Sequence, residues 1–156
     1  MTTLTTIRKV SHAVILGAPN AQALIDEYAN ESANPQLGEP NTDPALYAAL
    51  EHAGAIQCFG AYEGEVLVGF ASLLIFPSPH YGRKVATVES LFVTSGSRPH
   101  GVGQQLMGAI EHYAHTFNCR AIFYSAPVGS QLAMLLTASK PYKFTNVVFC
   151  RSLASE

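Results

Sequence analysis

The sequence predicts an α+β fold of three layers, in which helices flank a mostly antiparallel sheet. Three strand-like segments follow one another between residues 55 and 93 with short turns between them, which favours antiparallel pairing. Helical spacing of apolar residues precedes and follows this block, most clearly after residue 102. The chain contains no repeat, linker or low-complexity stretch, so a single domain over residues 1–156 is expected.

The composition argues against several classes of protein. Hydrophobic residues make up 48% of the chain and charged residues only 13%, so an ordered core is expected. The net charge is −2 and the nine Lys and Arg residues are scattered, so no nucleic-acid partner is expected. No window approaches the roughly 18 apolar residues of a membrane span, so no membrane partner is expected either. Three distant cysteines favour reduced thiols and a cytoplasmic location.

The first third of the chain is predicted to form strand, helix, loop and helix. In order, these are a strand at Leu4–Val10, a helix from Ala21, a loop at Asn30–Pro44 and a short helix to about His52. Asn20 and Asp43 stand directly before the two helices and are predicted as their N-caps.

The central block is predicted as three consecutive strands of β-branched and aromatic residues. They cover Ala55–Tyr62, Val66–Phe76 and Lys84–Val93. The first two flank a short connection that contains Gly64, which is typical of a hairpin.

The last third is predicted as helix, strand, helix and strand. These are a long helix from Val102 with one apolar face, a short buried strand at Ala121–Ser125, a helix from Gln131 to about Ser139 and a final strand at Phe144–Leu153. Ser130 is the expected N-cap of the second helix.

The junction between the third central strand and the long helix favours an anion-binding site. It reads Arg98-x-x-Gly101-x-Gly103 at the start of the helix. The first amides of a helix lack intrahelical acceptors, and the helix dipole adds partial positive charge there. Glycines let a phosphate approach the backbone, and Arg98 supplies a cation. An ordinary capped turn is the alternative interpretation.

The common nucleotide-binding motifs do not fit this junction. A dinucleotide fold has Gly-x-Gly-x-x-Gly after its first parallel strand, whereas these glycines follow a late strand and Leu106 stands at the third glycine position. A P-loop needs Gly-Lys-Ser/Thr, which is absent from the sequence.

The same segment resembles the acetyl-CoA motif of the GNAT superfamily of N-acetyltransferases. In that pattern a strand ending in Leu-x-Val is followed, after about five residues, by Arg/Gln-x-x-Gly-x-Gly/Ala and a long helix. Here Leu91-Phe92-Val93 is followed by four residues and then by Arg98-Pro99-His100-Gly101-Val102-Gly103. The resemblance extends over about residues 66–153. It implies a mixed sheet with a central splay between strands, about four flanking helices, and acetyl-CoA as co-substrate.

The resemblance also implies a set of cofactor contacts. The amides of Arg98, Pro99, His100, Gly101, Val102 and Gly103 would hold the CoA pyrophosphate. Backbone groups of Phe92 and Val93 would pair with the pantetheine arm, and the amide near Val93 would polarise the thioester carbonyl. Leu91 and Ser125 border the same gap and are expected to contact the cofactor. An amine would then attack directly in a ternary complex.

Glu89 is the candidate for the base that the attacking amine requires. Alternation along the strand places it on the face of Leu91 and Val93, near the acyl end. The alternative is a carboxylate that is solvated or paired with Arg83 or Lys84.

The sequence departs from the family pattern at the general acid, the group that would protonate the leaving CoA thiolate. Many members carry a tyrosine in the helix that here reads Leu132 to Thr137, which has none. Tyr142, just beyond Pro141, is the candidate for that hydroxyl; packing at a helix end is the alternative. Tyr124 and Ser125 are weaker candidates.

The acceptor is expected to be a small or amino-acid-like amine. Family members build that pocket largely from the first two helices, and residues 21–52 here carry six acidic residues and no Lys or Arg. Such charge favours a cationic amine, although a solvated acidic face is equally consistent. No metal is expected, since His112 and His115 lie off the apolar helix face.

Two other functions and one assembly stay open. A catalytically weak acyl-CoA-binding or regulatory domain is consistent with the missing helix tyrosine, and a transferase of longer acyl groups is consistent with the same motif. A homodimer is expected by family resemblance, because final strands often pair and Val147-Val148-Phe149 is apolar.

Overall fold

The protein is described from a computed structural model that covers residues 4–154. A five-stranded sheet runs through it in the order β1-β2-β3-β4-β5. The strands are β1 (Thr5–Val10), β2 (Ile56–Glu63), β3 (Val66–Ser78), β4 (Arg83–Val93) and β5 (Ile122–Phe123). The first four are antiparallel neighbours and β5 is parallel to β4, which confirms the mixed, mostly antiparallel sheet.

The described helices lie on both faces of this sheet. They are α1 (His12–Leu16), α2 (Ala21–Ser32), α3 (Pro44–His52), α4 (Val102–Thr116) and α5 (Gln131–Ala138). Two 3-10 turns are added at Pro35–Leu37 and Ser95–His100. The sequence analysis missed α1, which has five residues and too few positions to show a helical period.

The core is divided into two layers by the sheet. On one face, α4 inserts Val102, Leu106 and Ile110, all fully buried, against β3 and β4. On the other face, α1 and α2 cover a cluster that includes Phe70 and Phe92. Because β2 and the first half of β3 are covered on both faces, they are buried almost without interruption.

Two of the three predicted helix caps are confirmed. The Asp43 carboxylate accepts from the amides of Ala45 and Leu46, and the Ser130 hydroxyl accepts from the amide of Ala133. Asn20 stands at the predicted N-cap position of α2, but its side chain makes no capping bond. It donates instead to the carbonyl of Leu67 at 2.8 Å and connects the start of α2 to β3.

The predicted final strand, Phe144–Leu153, is also wrong. These residues form no regular structure, and side chains such as Val148 and Phe149 are 84% and 90% exposed. The preceding strand, predicted as buried over Ala121–Ser125, shrinks to the two residues of β5, and Phe123 is 46% exposed. A strand forms only where a neighbour satisfies its backbone, and no neighbour covers the outer edge of β5 within residues 4–154.

Candidate active site

The strands β4 and β5 separate immediately after they meet. They pair only at Ala86–Ile122 and Thr87–Phe123, so the rest of β4 has no strand on this side within the described residues. The opening leads into a cavity of about 380 Å³. Its walls come from α2, the end of β4, the following turn, α4, the loop before α5, and α5 itself. The lining residues are Tyr28, Glu31, Ser32, Leu91, Phe92, Val93, Arg98, Pro99, Gly101, Gly103, Gln104, Met107, Pro127, Ser130, Gln131, Leu132 and Leu135.

The glycine turn forms one end of this cavity. Gly101 has φ +74°, a left-handed conformation that favours glycine, and it directly precedes the first turn of α4. Gly103 lies in the first turn of α4, and outside that helix the nearest atom to a Cβ added there would be Cγ2 of Val93 at 3.9 Å. Glycine in a helix costs about 1 kcal/mol relative to alanine, so packing within the chain does not explain Gly103. The space over Gly103 fits a ligand phosphate that approaches the helix N-terminus.

Arg98 is held in place from two sides. Its Nε donates to the carbonyl of Val93 at 2.8 Å, and its Nη2 donates to both carboxylate oxygens of Glu31 at 2.6 and 2.7 Å. The guanidinium also lies 5.6 Å from the ring centre of Phe92. Arg98 is thus positioned at the cavity wall by the strand and by α2 together.

The ladder between β3 and β4 determines which backbone groups face the cavity. The amide of Thr94 donates to the carbonyl of Val68 at 2.9 Å, so these two residues form a hydrogen-bonded pair. In an antiparallel ladder such pairs alternate with pairs whose amides and carbonyls point outward. The backbone groups of Val93 and Leu91 therefore point away from β3, towards the gap, whereas those of Phe92 point towards β3. The predicted pairing of the Phe92 backbone with the pantetheine arm is therefore corrected. The Phe92 side chain lines the cavity, and Leu91 is the second residue, besides Val93, whose backbone groups point towards the gap.

A β-bulge reverses the predicted direction of Glu89. Ser72 pairs with Ser90 and Leu73 with Val88, so Glu89 is an extra residue without a partner on β3. Leu91 and Val93 pack towards α4, whereas Glu89 contacts Ser72 and Tyr47 on the opposite face, where Tyr47 packs beside Phe92. The prediction that Glu89 shares the face of Leu91 and Val93 is wrong, because a bulge places two successive residues opposite one.

Two hydroxyl groups hold the Glu89 carboxylate. The Tyr47 hydroxyl donates to its two oxygens at 3.0 and 2.9 Å, and the Ser72 hydroxyl donates to one of them. Ser90 extends the chain, with its Oγ 2.6 Å from that of Ser72. These contacts, and not Arg83 or Lys84, position Glu89. Burial and the nearby Glu89 raise the pKa of Tyr47, so its phenol stays protonated and donates.

Tyr142, like Glu89, is not among the residues that line the cavity. Its hydroxyl donates to Glu111 of α4 at 2.7 Å, and the Tyr124 hydroxyl donates to the same oxygen at 2.7 Å. Burial, followed by the bond to Glu111, raises the pKa of Tyr142 to about 12. Tyr142 and Tyr124 thus join β5 and the segment after α5 to α4, which matches the alternative that the sequence left open.

Three further predicted cofactor residues do not line the cavity. His100 pairs through Nδ1 with Glu63 at 2.9 Å, Val102 is fully buried in the core, and Ser125 stands two residues before the wall residue Pro127. The structure brings the other predicted contacts together: Leu91, Phe92, Val93, Arg98, Pro99, Gly101 and Gly103.

Most carboxylates of the acidic segment have internal partners. Glu27 accepts from Thr94 and Ser95, Glu31 from Arg98, and Glu51 from the amide of His12. Asp26 accepts from Gln22 on its own helix. Two of these carboxylates, Glu27 and Glu31, thus join α2 to the turn after β4, and Glu51 joins α3 to α1.

The sequence reasoning missed several wall residues. Tyr28 lies in the helix predicted from Ala21 but was given no functional role, and it lines the cavity together with Phe92 and Glu31. Leu132 and Leu135 of α5 line the opposite wall. A helix-face pattern could have grouped each set but could not place either helix at the gap, since that requires the tertiary contacts.

Within residues 4–154, no three His, Cys, Asp or Glu side chains come together in a way that could hold a metal ion. In the same part of the chain, no helix combines the length and the apolar character needed to cross a membrane.

The family is established by comparison with a family model. The acetyltransferase (GNAT) family model matches residues 22–134, which is more than half of the chain and includes β4, the glycine turn and α4. The protein therefore belongs to the GNAT acetyltransferase family and is an acyltransferase. That family uses acetyl-CoA as co-substrate. A search of curated proteins found no match.

Solved structures support the fold over nearly the whole chain. An aminoglycoside acetyltransferase from an uncultured soil metagenomic sample, in complex with sisomicin, has TM-score 0.72 and 15% identity, covering 96% of this chain and 97% of that chain. A ribosomal-protein-alanine N-acetyltransferase from Brucella melitensis biovar Abortus 2308 has TM-score 0.66 and 19% identity, with coverages of 94% and 99%. AAC(6')-Iy in complex with the bisubstrate analogue CoA-S-monomethyl-acetylneamine has TM-score 0.72 and 19% identity, with coverages of 97% and 99%.

Proposed function

We propose that this protein is an N-acetyltransferase that moves the acetyl group of acetyl-CoA to a primary amine of a small or amino-acid-like acceptor. The observation that carries the proposal is one cavity that joins the free edge of β4 to the start of α4 at Gly101 and Gly103. One wall offers the backbone of an unpaired strand, and the other offers the start of a helix beside Arg98. This combination suits an extended chain that ends in a pyrophosphate.

The co-substrate fits the residues that are present. Acetyl-CoA, when bound, supplies the acetyl group as a thioester. Leu91 presents outward backbone groups for the pantetheine arm and Val93 its amide, since the Val93 carbonyl is bound by Arg98. Arg98, Gly101 and Gly103 line the end of the cavity that would take the pyrophosphate. The relatives point to the same chemistry, since one was solved with a bisubstrate analogue that contains CoA.

The proposed reaction proceeds in one ternary complex. Glu89 accepts the proton that the amine loses as its nitrogen bonds to the acetyl carbon. The Val93 amide donates to the carbonyl oxygen as negative charge develops there. The bond to sulfur then breaks, which yields the N-acetyl amine and CoA. Tyr28 is the tyrosine that lines the cavity, and burial raises its pKa, so its phenol stays protonated. We therefore assign the role of proton donor to the leaving thiolate to Tyr28 and not to Tyr142.

The cofactor site is tested with two glycine-to-glutamate variants of the same helix. Gly103→Glu places a carboxylate at the cavity wall, whereas Gly108→Glu places one at an exposed position of α4. Both variants add the same negative charge, and only the first repels a phosphate at the proposed site. Calorimetric titration with acetyl-CoA should show weaker binding only for Gly103→Glu. Equal binding by wild type and both variants, or no binding by a folded wild type, would contradict the cofactor assignment.

The reaction is tested by release of CoA from acetyl-CoA with a panel of amines. The panel includes sisomicin and a peptide with an N-terminal alanine, which represent the acceptors named for two relatives. Glu89→Gln should reduce turnover by about 10²- to 10⁴-fold, and Tyr28→Phe should reduce it more than Tyr142→Phe.

Binding of acetyl-CoA without turnover of any amine would favour the weak acyl-CoA-binding domain. Turnover only with longer acyl-CoA would favour the other alternative. The homodimer stays a prediction, tested by solution mass.

A further inference from the structure

The turn that follows β4 is held by a side chain from the helix on the other side of the sheet. Glu27 of α2 accepts from the Thr94 hydroxyl at 2.7 Å and from the Ser95 amide at 2.9 Å. Each carboxylate oxygen takes one donor, Oε2 from Thr94 and Oε1 from Ser95. Thr94 is also joined to β3 through its own amide, so the peptide after Val93 is held on both sides.

A second carboxylate, one helical turn later, holds the other end of the same segment. Glu31 lies four residues after Glu27, hence on the same face of α2, and binds Arg98. Arg98 in turn donates to the carbonyl of Val93. Two carboxylates of one helix thus hold a six-residue stretch that carries both the outward amide of Val93 and the cation of the anion site.

We propose that Glu27 is a positioning residue for the acetyl transfer, which acts by holding the Val93–Ser95 backbone so that the Val93 amide meets the developing charge. This inference rests on the proposed function, because it needs the Val93 amide to donate to the carbonyl oxygen of acetyl-CoA. Glu27 itself does not line the cavity, so its effect passes through the backbone. A displacement of about 1 Å at such a donor costs on the order of 10²-fold in rate.

Glu27 and Glu31 should act on different kinetic constants. Glu27 holds the residues next to the reacting carbonyl, so its loss should reduce kcat. Glu31 contacts Arg98, so its loss should change the KM for acetyl-CoA. The carboxylate form of Glu27 is stabilised mainly by the Ser95 amide and then by the Thr94 hydroxyl, which lower its pKa, so the contact is complete throughout the neutral range.

The test compares three variants of α2 in steady-state kinetics with acetyl-CoA and the best amine of the panel. Glu27→Ala removes both contacts, and Glu27→Gln retains an oxygen for Ser95 and an amide for the Thr94 hydroxyl. Asp26→Asn removes the same charge from the adjacent position, where the carboxylate binds only Gln22 on α2. We expect kcat to fall about tenfold or more in Glu27→Ala, with KM for acetyl-CoA within about threefold. Glu27→Gln should restore most of kcat.

Equal losses in all three variants would overturn the inference, since they would mean that negative charge on α2 acts on the amine directly. Amide hydrogen exchange of Thr94 and Ser95, whose amides donate to Val68 and Glu27, gives a readout that needs no turnover. Protection should fall in Glu27→Ala and not in Asp26→Asn. Unchanged protection in Glu27→Ala overturns the inference even if the wild type is inactive. A wild type that releases no CoA with any amine contradicts the proposed function instead.

Discussion

The two sides of the cleft are built differently. On one side, β4 is packed between α4 and the α1–α2 layer, and residues such as Leu106 and Ile110 are fully buried. On the other side, no residue of β5 or α5 is buried. The donors that must be placed accurately, such as the Val93 amide, lie on the first side. The donors of the proposed reaction thus lie on the well-packed side formed by β4 and α4, whereas β5 and α5 close the cavity with few buried contacts.

The largest expected effect is a loss of unfolding free energy in a variant of the well-packed side. Leu106→Ala removes a fully buried side chain of α4 and should reduce the unfolding free energy by about 2 to 5 kcal/mol. Met134→Ala changes an α5 side chain that is 63% exposed and should stay within about 0.5 kcal/mol. Urea unfolding measures both. Similar losses in the two variants would show that α5 is as well packed as α4.

A second prediction concerns the close approach of β3 to β4. A Cβ on Gly69 would lie 2.7 Å from the carbonyl oxygen of Phe92 and 3.3 Å from the Cα of Val93. Gly69→Ala should therefore destabilise the protein by about 1 to 3 kcal/mol and weaken acetyl-CoA binding. Unfolding and calorimetric titration measure the two effects. Gly108→Ala, which adds its Cβ in open space, is the control, and equal behaviour of both variants would count against the prediction.

A third prediction concerns the contact that joins the two sides. Glu111→Ala leaves the hydroxyls of Tyr124 and Tyr142 without their acceptor and should reduce the unfolding free energy by about 1 to 2 kcal/mol. Hydrogen exchange should increase in β5 and α5 and not in β2. Glu65→Ala is the control, because Glu65 is largely exposed and its pair with Arg8 is worth about 0 to 1 kcal/mol. Unchanged exchange in β5 would show that Glu111 does not hold this side.

The smallest effect is the pH dependence of the contact between α2 and the turn. The pKa of Glu27 is lowered from 4.5, chiefly by the Ser95 amide and then by the Thr94 hydroxyl, with Arg98 as the nearby cation. A lowered carboxyl pKa contributes stability that is present above the unfolded value and is lost as the pH falls through the folded value. The advantage of wild type over Glu27→Gln should be constant from pH 8 to about 5 and shrink below that. Thermal unfolding at each pH measures it, and a growing advantage in acid would contradict the assignment.

The features that could be predicted from the sequence are those set by residues close together in the chain. The spacing from Leu91 to Gly103 is carried by consecutive residues, and the structure places most of that motif around one cavity. The caps at Asp43 and Ser130 also depend only on adjacent residues. Such features could be predicted because their contacts lie within a few positions of each other.

The predictions that failed depended on partners far away in the chain. The final strand at Phe144–Leu153 has strand-like composition, but composition supplies no neighbour to satisfy its backbone. Asn20 stands at a cap position, yet its side chain finds the carbonyl of Leu67. Tyr142 was the candidate from a shifted position beyond Pro141, and its hydroxyl is bound by Glu111, 31 positions away.

By itself, the sequence determined the glycine turn, the long helix after it and the order of the antiparallel strands, because those patterns are set by local backbone preference and by apolar spacing. Only the tertiary structure decided the direction of Glu89, since a one-residue bulge against β3 turns a strand side chain to the other face. It also decided that Glu27 serves the turn and not the solvent, because a carboxylate takes its role from the donors it reaches, and Thr94 and Ser95 are 67 and 68 positions away.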